Sequence, residues 1–253
     1  MKIPFNYNEK VISEIQEKLK DDSKYYGEYG RQWLSNSDIG HLLNDPRKFR
    51  QPQEETKAML EGRFFHTAML EKDKLDNFTL LDVSSRNTKA YKEYYAEHNK
   101  MALLTQEAHN ILDVVDAMKL NVEMYESIYD EGNKYEVPMV KTIMGLDWKG
   151  KADIVCQDKL IDLKTTSDIN KFKYSARKYN YDSQAYIYQE LFGLPLEFYV
   201  VDKSTFQLGI FKPTEEFLEK GREKVEDAVF IYNTFFSENA VEDINQIIIH
   251  ETL

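Results

Sequence analysis

Residues 134–165 limit the possible folds more than any other stretch of the chain. Three runs rich in apolar and β-branched residues, 134–144, 148–157 and 159–165, follow one another with breaks only at Gly145-Leu146-Asp147 and near Asp158. Connections that short join antiparallel neighbours, so the runs are read as a meander. Helical patterns over 168–178 and 182–192 come next, then strand patterns over 196–202 and 205–211. Strand, helices and strand in that order favour a right-handed crossover, which lays the fourth strand parallel to the third. The expectation is an α/β fold, a mixed sheet of about five strands flanked by helices.

The first half reads as helical. An amphipathic pattern covers 11–19, and Ser37 is placed to cap a short helix over 38–43 that Asp45-Pro46 ends. A longer helix is expected over 54–71, where Met59, Gly62, His66 and Met69 recur at three- and four-residue steps. Further helices are expected over 89–100 and 106–130, the latter broken near Asn121, and a last one from Pro213-Thr214 to 236. No repeat or flexible linker divides them. The chain therefore reads as one domain: a helical extension over 1–33, a core over 34–212, and a C-terminal helix with an acidic tail over 213–253.

Charge is unevenly distributed. Asp and Glu number 44 against 33 Lys and Arg, a net charge of -11, which argues against nucleic acid as a partner. Residues 213–253 hold ten of those acids and three bases, whereas 141–181 hold nine bases and five acids. A basic stretch inside an acidic chain is a statement about one face. One cysteine, Cys156, leaves no internal disulfide, iron–sulfur cluster or cysteine zinc site. No apolar run approaches the roughly 20 residues of a membrane span, and the start, MKIPFNYNEK, lacks the apolar core of a secretory signal. No membrane partner and a cytoplasmic location are expected.

The chemistry concentrates in Lys151-Ala152-Asp153 and Ile161-Asp162-Leu163-Lys164-Thr165-Thr166. Residues two apart on a strand share a face, so Asp162 and Lys164 point together while Leu163 enters the opposite, apolar side. Asp153, across a tight hairpin, can approach Asp162. Two carboxylates that close repel unless protonated or bridged by a cation, and oxygen ligands of this kind suit Mg²⁺ or Mn²⁺. A D-x-K triplet alone is usually a pair of surface residues, and a lone histidine such as His66 on an apolar helix face is usually a core residue. Gln184 and Tyr188 share one helix face, and Glu136 opens the meander, either behind the site or exposed.

The order of these motifs is more specific than any one of them. Gly62-x-x-x-His66-x-x-x-Leu70-Glu71, then Lys151-x-Asp153, then Ile161-Asp162-Leu163-Lys164-Thr165-Thr166, then Gln184-x-x-x-Tyr188 resembles the PD-(D/E)XK nuclease superfamily. Within it the chain looks like the phage exonuclease VIII type, related to lambda exonuclease and RecB nuclease domains. Leu34-Ser35-Asn36-Ser37 followed by Asp45-Pro46 extends the likeness, which spans 34–211. The resemblance implies that His66, Asp153 and Asp162 ligate a metal together with the backbone carbonyl of Leu163, and that Lys164 is the catalytic lysine. It places Gln184, Tyr188, Ser37 and Arg63 at the substrate, with Glu136 behind the ligands. An arginine common near the first acid is missing, and Lys149 or Lys151 is its candidate replacement.

What the resemblance implies is an Mg²⁺-dependent exodeoxyribonuclease, with Mn²⁺ able to substitute, acting 5' to 3' on duplex DNA to make single strands for recombination. A ring-shaped homo-oligomer and a single-strand annealing protein are the implied partners. An endonuclease of the same fold and a non-cutting binding module are the alternatives. Lys171, Lys173, Arg177 and Lys178, interleaved with Tyr174 and Tyr179, line the expected DNA path or form a solvated helical face. The acidic tail is expected away from that path.

Overall fold

The computed structural model describes residues 8–246; the outer ends of the N-terminal extension and of the acidic tail lie outside the described residues. Asn8 caps α1 (Glu9–Leu19), which buries Ile15 and Leu19, and a short α2 (Asp22–Tyr25) follows. In α3 (Asn36–Asn44) the cap is Ser35 and not Ser37, because Asp38 accepts from the Ser35 backbone N–H at 2.8 Å. Thr56 caps α4 (Lys57–Leu70), so this helix starts three residues later than the apolar repeat suggests. Next come β1 (Leu80–Leu81), α5 (Lys89–His98), β2 (Leu103–Leu104), α6 (Thr105–Leu120) and α7 (Val122–Ile128). The break between the last two falls at Asn121, whose side chain caps the second. The two-residue parallel pair of β1 and β2 carries no periodicity to read.

The remaining strands form the sheet in chain order: β3 (Lys134–Ile143), β4 (Leu146–Val155), β5 (Leu160–Thr166), β6 (Leu196–Asp202) and β7 (Leu208–Phe211). All neighbours are antiparallel except β5 and β6, which are parallel across α8 (Phe172–Lys178) and α9 (Tyr181–Phe192). The last strand is shorter than the 205–211 expected. The Asp202 carboxylate instead captures the N–H groups of Ser204 and Thr205 and turns the chain.

Each face of the sheet carries its own core. Leu160, Phe198 and Val200 pack with α3, α8, α9 and α10 (Glu215–Phe235). Ile161, Leu163, Tyr199 and Val201 pack with α4, α6 and α7 on the other face. That alternation sends Asp162 and Lys164 to the α9 side. On β4 it slips once: Trp148 and Ala152 join the α9 core, but Ile154 joins the α4 core. Asp153 sits at the slip, opposite Glu136, a strand residue with a left-handed φ of 50°. The β4–β5 ladder also stops there, pairing only Ile154 with Ile161 and Val155 with Leu160. Only β5 parts from β4 at Asp153, while the β3–β4 ladder skips one pair and resumes at Val137 and Ala152.

Two close approaches fix the helix layer. Gly150 lies under Tyr188 and Leu191 of α9, and Gly221 of α10 lies against α9 itself. A Cβ on Gly221 would stand 2.1 Å from the backbone carbonyl oxygen of Asp182, which no side-chain rotation relieves. Gly221→Ala is therefore expected to lower stability by about 2 kcal/mol despite alanine's better helix propensity. A urea midpoint equal to wild type would refute this packing.

Candidate metal-dependent active site

The parted strands and α4 bring three potential ligands together. Ligand atoms of His66, Glu136 and Asp153 all lie within 4.8 Å of one another. His66 Nδ1 is 3.2 Å from Asp153 Oδ2, which also accepts the Leu163 N–H at 2.7 Å. The Asp153 carboxylate thus replaces the ladder partner that Leu163 loses where β4 and β5 separate. Asp162, the other acid expected here, lies beside this set of three. Its Oδ1 accepts from Gln184 Nε2 at 2.5 Å, and its Oδ2 lies 2.5 Å from Lys164 Nζ. Glu136, expected behind the ligands, takes the third place because its left-handed backbone turns it to Asp153.

Electrostatics show an excess of negative charge. Burial, then repulsion from Asp153, pushes the Glu136 carboxyl up to about 8. Burial also raises Asp162, with Asp153 adding to it and Lys164 opposing. Asp153 moves down: burial works against its charge, but His66 and Lys164 outweigh that. Burial disfavours charged His66, yet attraction to Asp153 raises its pKa overall. Lys164 is also raised, since the pull of Asp162, Tyr181 and Asp153 overrides burial.

These observations test whether a divalent cation suits the residues present. Asp162 Oδ2 is buried, and the Lys164 ammonium at 2.5 Å is its one polar contact among the described residues. One ammonium facing three neighbouring carboxylates leaves buried negative charge short of compensation, which is costly unless a further cation joins it. Glu136 resists ionisation because it is buried and faces Asp153. Three carboxylates and one imidazole form the oxygen-rich, mixed donor set that Mg²⁺ or Mn²⁺ accepts. The residues fit such an ion.

The other expected site residues divide. Gln184 reaches the site through Asp162. Tyr188 is buried and its hydroxyl donates to the Lys151 carbonyl at 3.0 Å, so it ties α9 to β4. Ser37 is exposed, its hydroxyl 2.8 Å from that of Ser35. Arg63 is exposed and paired with Glu55 at 2.6 Å. Neither candidate for the missing arginine points at the acids. Lys149 donates to the Tyr25 carbonyl, and burial lowers its pKa to about 8; Lys151 pairs with Asp22 at 2.5 Å. The missed residue is Tyr181, whose ring lies 4.7 Å from Lys164 Nζ. Its only sequence signal was its position three residues before Gln184.

A mixed sheet whose central strands present Asp153, Asp162 and Lys164 beside a helix-borne histidine defines the PD-(D/E)XK class of nuclease folds. The chain belongs to the family described as PDDEXK-like domain of unknown function (DUF3799), whose model matches residues 40–240. Among solved structures, one named "Putative exonuclease" from Eubacterium rectale is similar, with 17% identity and a TM-score of 0.62, covering 92% of this chain and 95% of its own. The alkaline exonuclease LHK-Exo from Laribacter hongkongensis has 11% identity and a TM-score of 0.36, covering 79% of this chain and 87% of its own. No curated protein matches the chain. Among the described residues no helix is long and apolar enough to cross a membrane.

Proposed function

We propose that the protein is a metal-dependent exodeoxyribonuclease that hydrolyses phosphodiester bonds at DNA ends. The observation that carries this reading is the His66–Glu136–Asp153 set beside a buried Asp162–Lys164 pair. His66, Glu136 and Asp153 would hold the ion, with Asp162 and the Leu163 carbonyl as the further donors that the resemblance implies. Bound Mg²⁺, or Mn²⁺ in its place, supplies Lewis acidity to the phosphoryl oxygen and lowers the pKa of water.

The chain's own groups do the rest. Gln184 fixes one Asp162 oxygen and leaves the other toward Lys164. Lys164 keeps its proton near neutral pH and so serves as a compact positive charge against the phosphate and as a donor that orients the attacking water. Tyr181 holds that ammonium against its ring. Tyr188 and Gly150 keep α9, and hence Gln184, at its distance from β5.

Duplex substrate, 5' to 3' polarity, a role in recombination, a ring-shaped oligomer and a single-strand annealing partner follow from the resemblance to the exonuclease VIII type and belong to this proposal. The test incubates linear, nicked and covalently closed DNA with Mg²⁺, Mn²⁺ or EDTA. Linear DNA is expected to shorten from 5' ends with either metal and to survive EDTA. Cutting of closed circles overturns the exonuclease reading in favour of an endonuclease, and loss of no DNA under any metal overturns the enzyme.

A further inference from the structure

Behind Lys164, one aromatic layer away, the protein has a cavity that the chemistry above does not use. Tyr181 links the two: its ring lies 4.7 Å from Lys164 Nζ and stacks on Phe198, a cavity wall, at 5.6 Å between centroids. Phe198, Phe172, Phe211 and Phe217 form the walls of a cavity of about 410 Å³, inside the roughly 300–1,000 Å³ range of small-ligand sites. The walls are aromatic and tilted on one another, with Phe172 4.6 Å from Phe211 and 6.5 Å between Phe198 and Phe217. Lys173, Arg177 and Lys212 stand around the mouth.

The rim cations are available. Lys173 lies over the Tyr174 ring at 5.1 Å and has no acid partner among the described residues. Arg177 meets Glu216 only at 3.5 Å, with both side chains more than half exposed, and Lys212 meets Glu197 while 72% exposed. Such pairs are worth little and yield to a phosphate. The same helix exposes Tyr174 at 64%, and Tyr179 follows it at 59%. Exposed rings beside cations are the elements of single-strand binding, where bases stack and the backbone is tracked by positive charge. The start of the 213–253 segment, expected away from the DNA path, instead meets it: Pro213, Thr214 and Phe217 line the cavity and Glu216 of α10 pairs with Arg177.

We infer that this cavity receives one unpaired nucleobase of single-stranded DNA, with the flanking phosphates on Lys173 and Arg177. The inference rests on the nuclease reading and extends it: the strand held here continues from the scissile phosphate past Tyr181. A peptide with an acidic stretch and an apolar anchor has related chemistry, and the test separates it.

The full-length protein is titrated, in EDTA so that nothing is cut, into a single-stranded eight-thymidine oligonucleotide carrying one 2-aminopurine. An oligonucleotide with an abasic spacer at that position is titrated beside it. Wild type is expected to quench the 2-aminopurine and to bind the abasic strand about 5- to 150-fold more weakly, the span of one stacked base. Phe217→Ala removes that difference, and Lys173→Glu/Arg177→Glu weakens both strands at least tenfold while leaving thermal unfolding unchanged, since both residues are exposed. Equal binding of the two strands by wild type, or variants that bind as wild type does, overturns the base pocket while DNA cleavage with Mg²⁺ leaves the nuclease reading standing. A cavity that takes a glutamate-rich, phenylalanine-containing peptide and no DNA overturns it as well. Absence of both binding and cleavage removes the nuclease reading together with the pocket.

Discussion

Lys164→Met is expected to reduce single-turnover cleavage by about 10²- to 10⁴-fold, the scale of losing a positioned proton-handling or charge-stabilising group. It is expected to destabilise the metal-free protein too. Asp162 is 2% exposed, and with Lys164 gone its charge is faced by no neighbouring cation of its own strand. Breaking one side of a buried pair costs roughly 3–5 kcal/mol, because the other charge stays buried. Asp162→Asn/Lys164→Met removes both charges and is expected to regain most of that stability with no return of activity. Lys164→Arg is also expected to fail, since the planar guanidinium cannot occupy the place of a compact ammonium against Tyr181. Urea unfolding in EDTA and single-turnover assays on linear DNA read the two effects separately. A Lys164→Met protein that cuts at the wild-type rate removes the lysine from the chemistry.

Sheet order, the parallel β5–β6 step and the two helix layers were legible because short connections and apolar periodicity report local geometry. The facing of Asp162 and Lys164 was legible for the same reason, as strand alternation holds through β5. It fails on β4. Two residues beyond Ala152 the chain has changed faces, and Glu136 opposite has a left-handed backbone. Neither residue type announces this, since a glutamate at positive φ has no sequence signal of the kind a glycine gives. Sequence alone therefore leaves Glu136 as either an acid behind the site or an exposed one. The misplacement of Ser37 has a smaller cause: Ser35 and Ser37 both suit a cap, and only Asp38, three residues after Ser35, decides between them. Tyr188 is placed at the substrate by the resemblance of Gln184-x-x-x-Tyr188 to the family's motif. Its hydroxyl reaches the Lys151 carbonyl first, since Gly150 lets α9 descend onto β4.

The metal-free protein is expected to lose stability as pH rises from about 5 to about 8.5, and Mg²⁺ to restore it most at the alkaline end. Glu136 governs the slope. In the unfolded chain its carboxyl ionises near 4.5, whereas in the folded protein burial and Asp153 hold the proton until about 8. A raised carboxyl contributes no penalty below 4.5, a growing one between the two values, and a constant one above the folded value. His66 adds to the same slope. Its pKa is raised above 6.5, so its attraction to Asp153 is fully present below 6.5 and is lost as pH passes the folded value. Asp153, lowered from 3.8, contributes above that pH and stays constant across the window. Allowing for the partial exposure of Glu136, the fall is on the order of 3 kcal/mol, or roughly 6–12 °C in Tm for a chain of this size. A divalent ion reverses the fall because it supplies the positive charge that the acids lack, and its binding displaces the Glu136 proton. Thermal melts in EDTA and in Mg²⁺ at several pH values test both halves, and Glu136→Gln is the decisive variant. It removes the carboxylate and is expected to flatten the EDTA profile while weakening the Mg²⁺ response. An EDTA profile that is level in wild type, or an Mg²⁺ shift of equal size at pH 6 and pH 8.5 that Glu136→Gln leaves intact, detaches Glu136 from the metal.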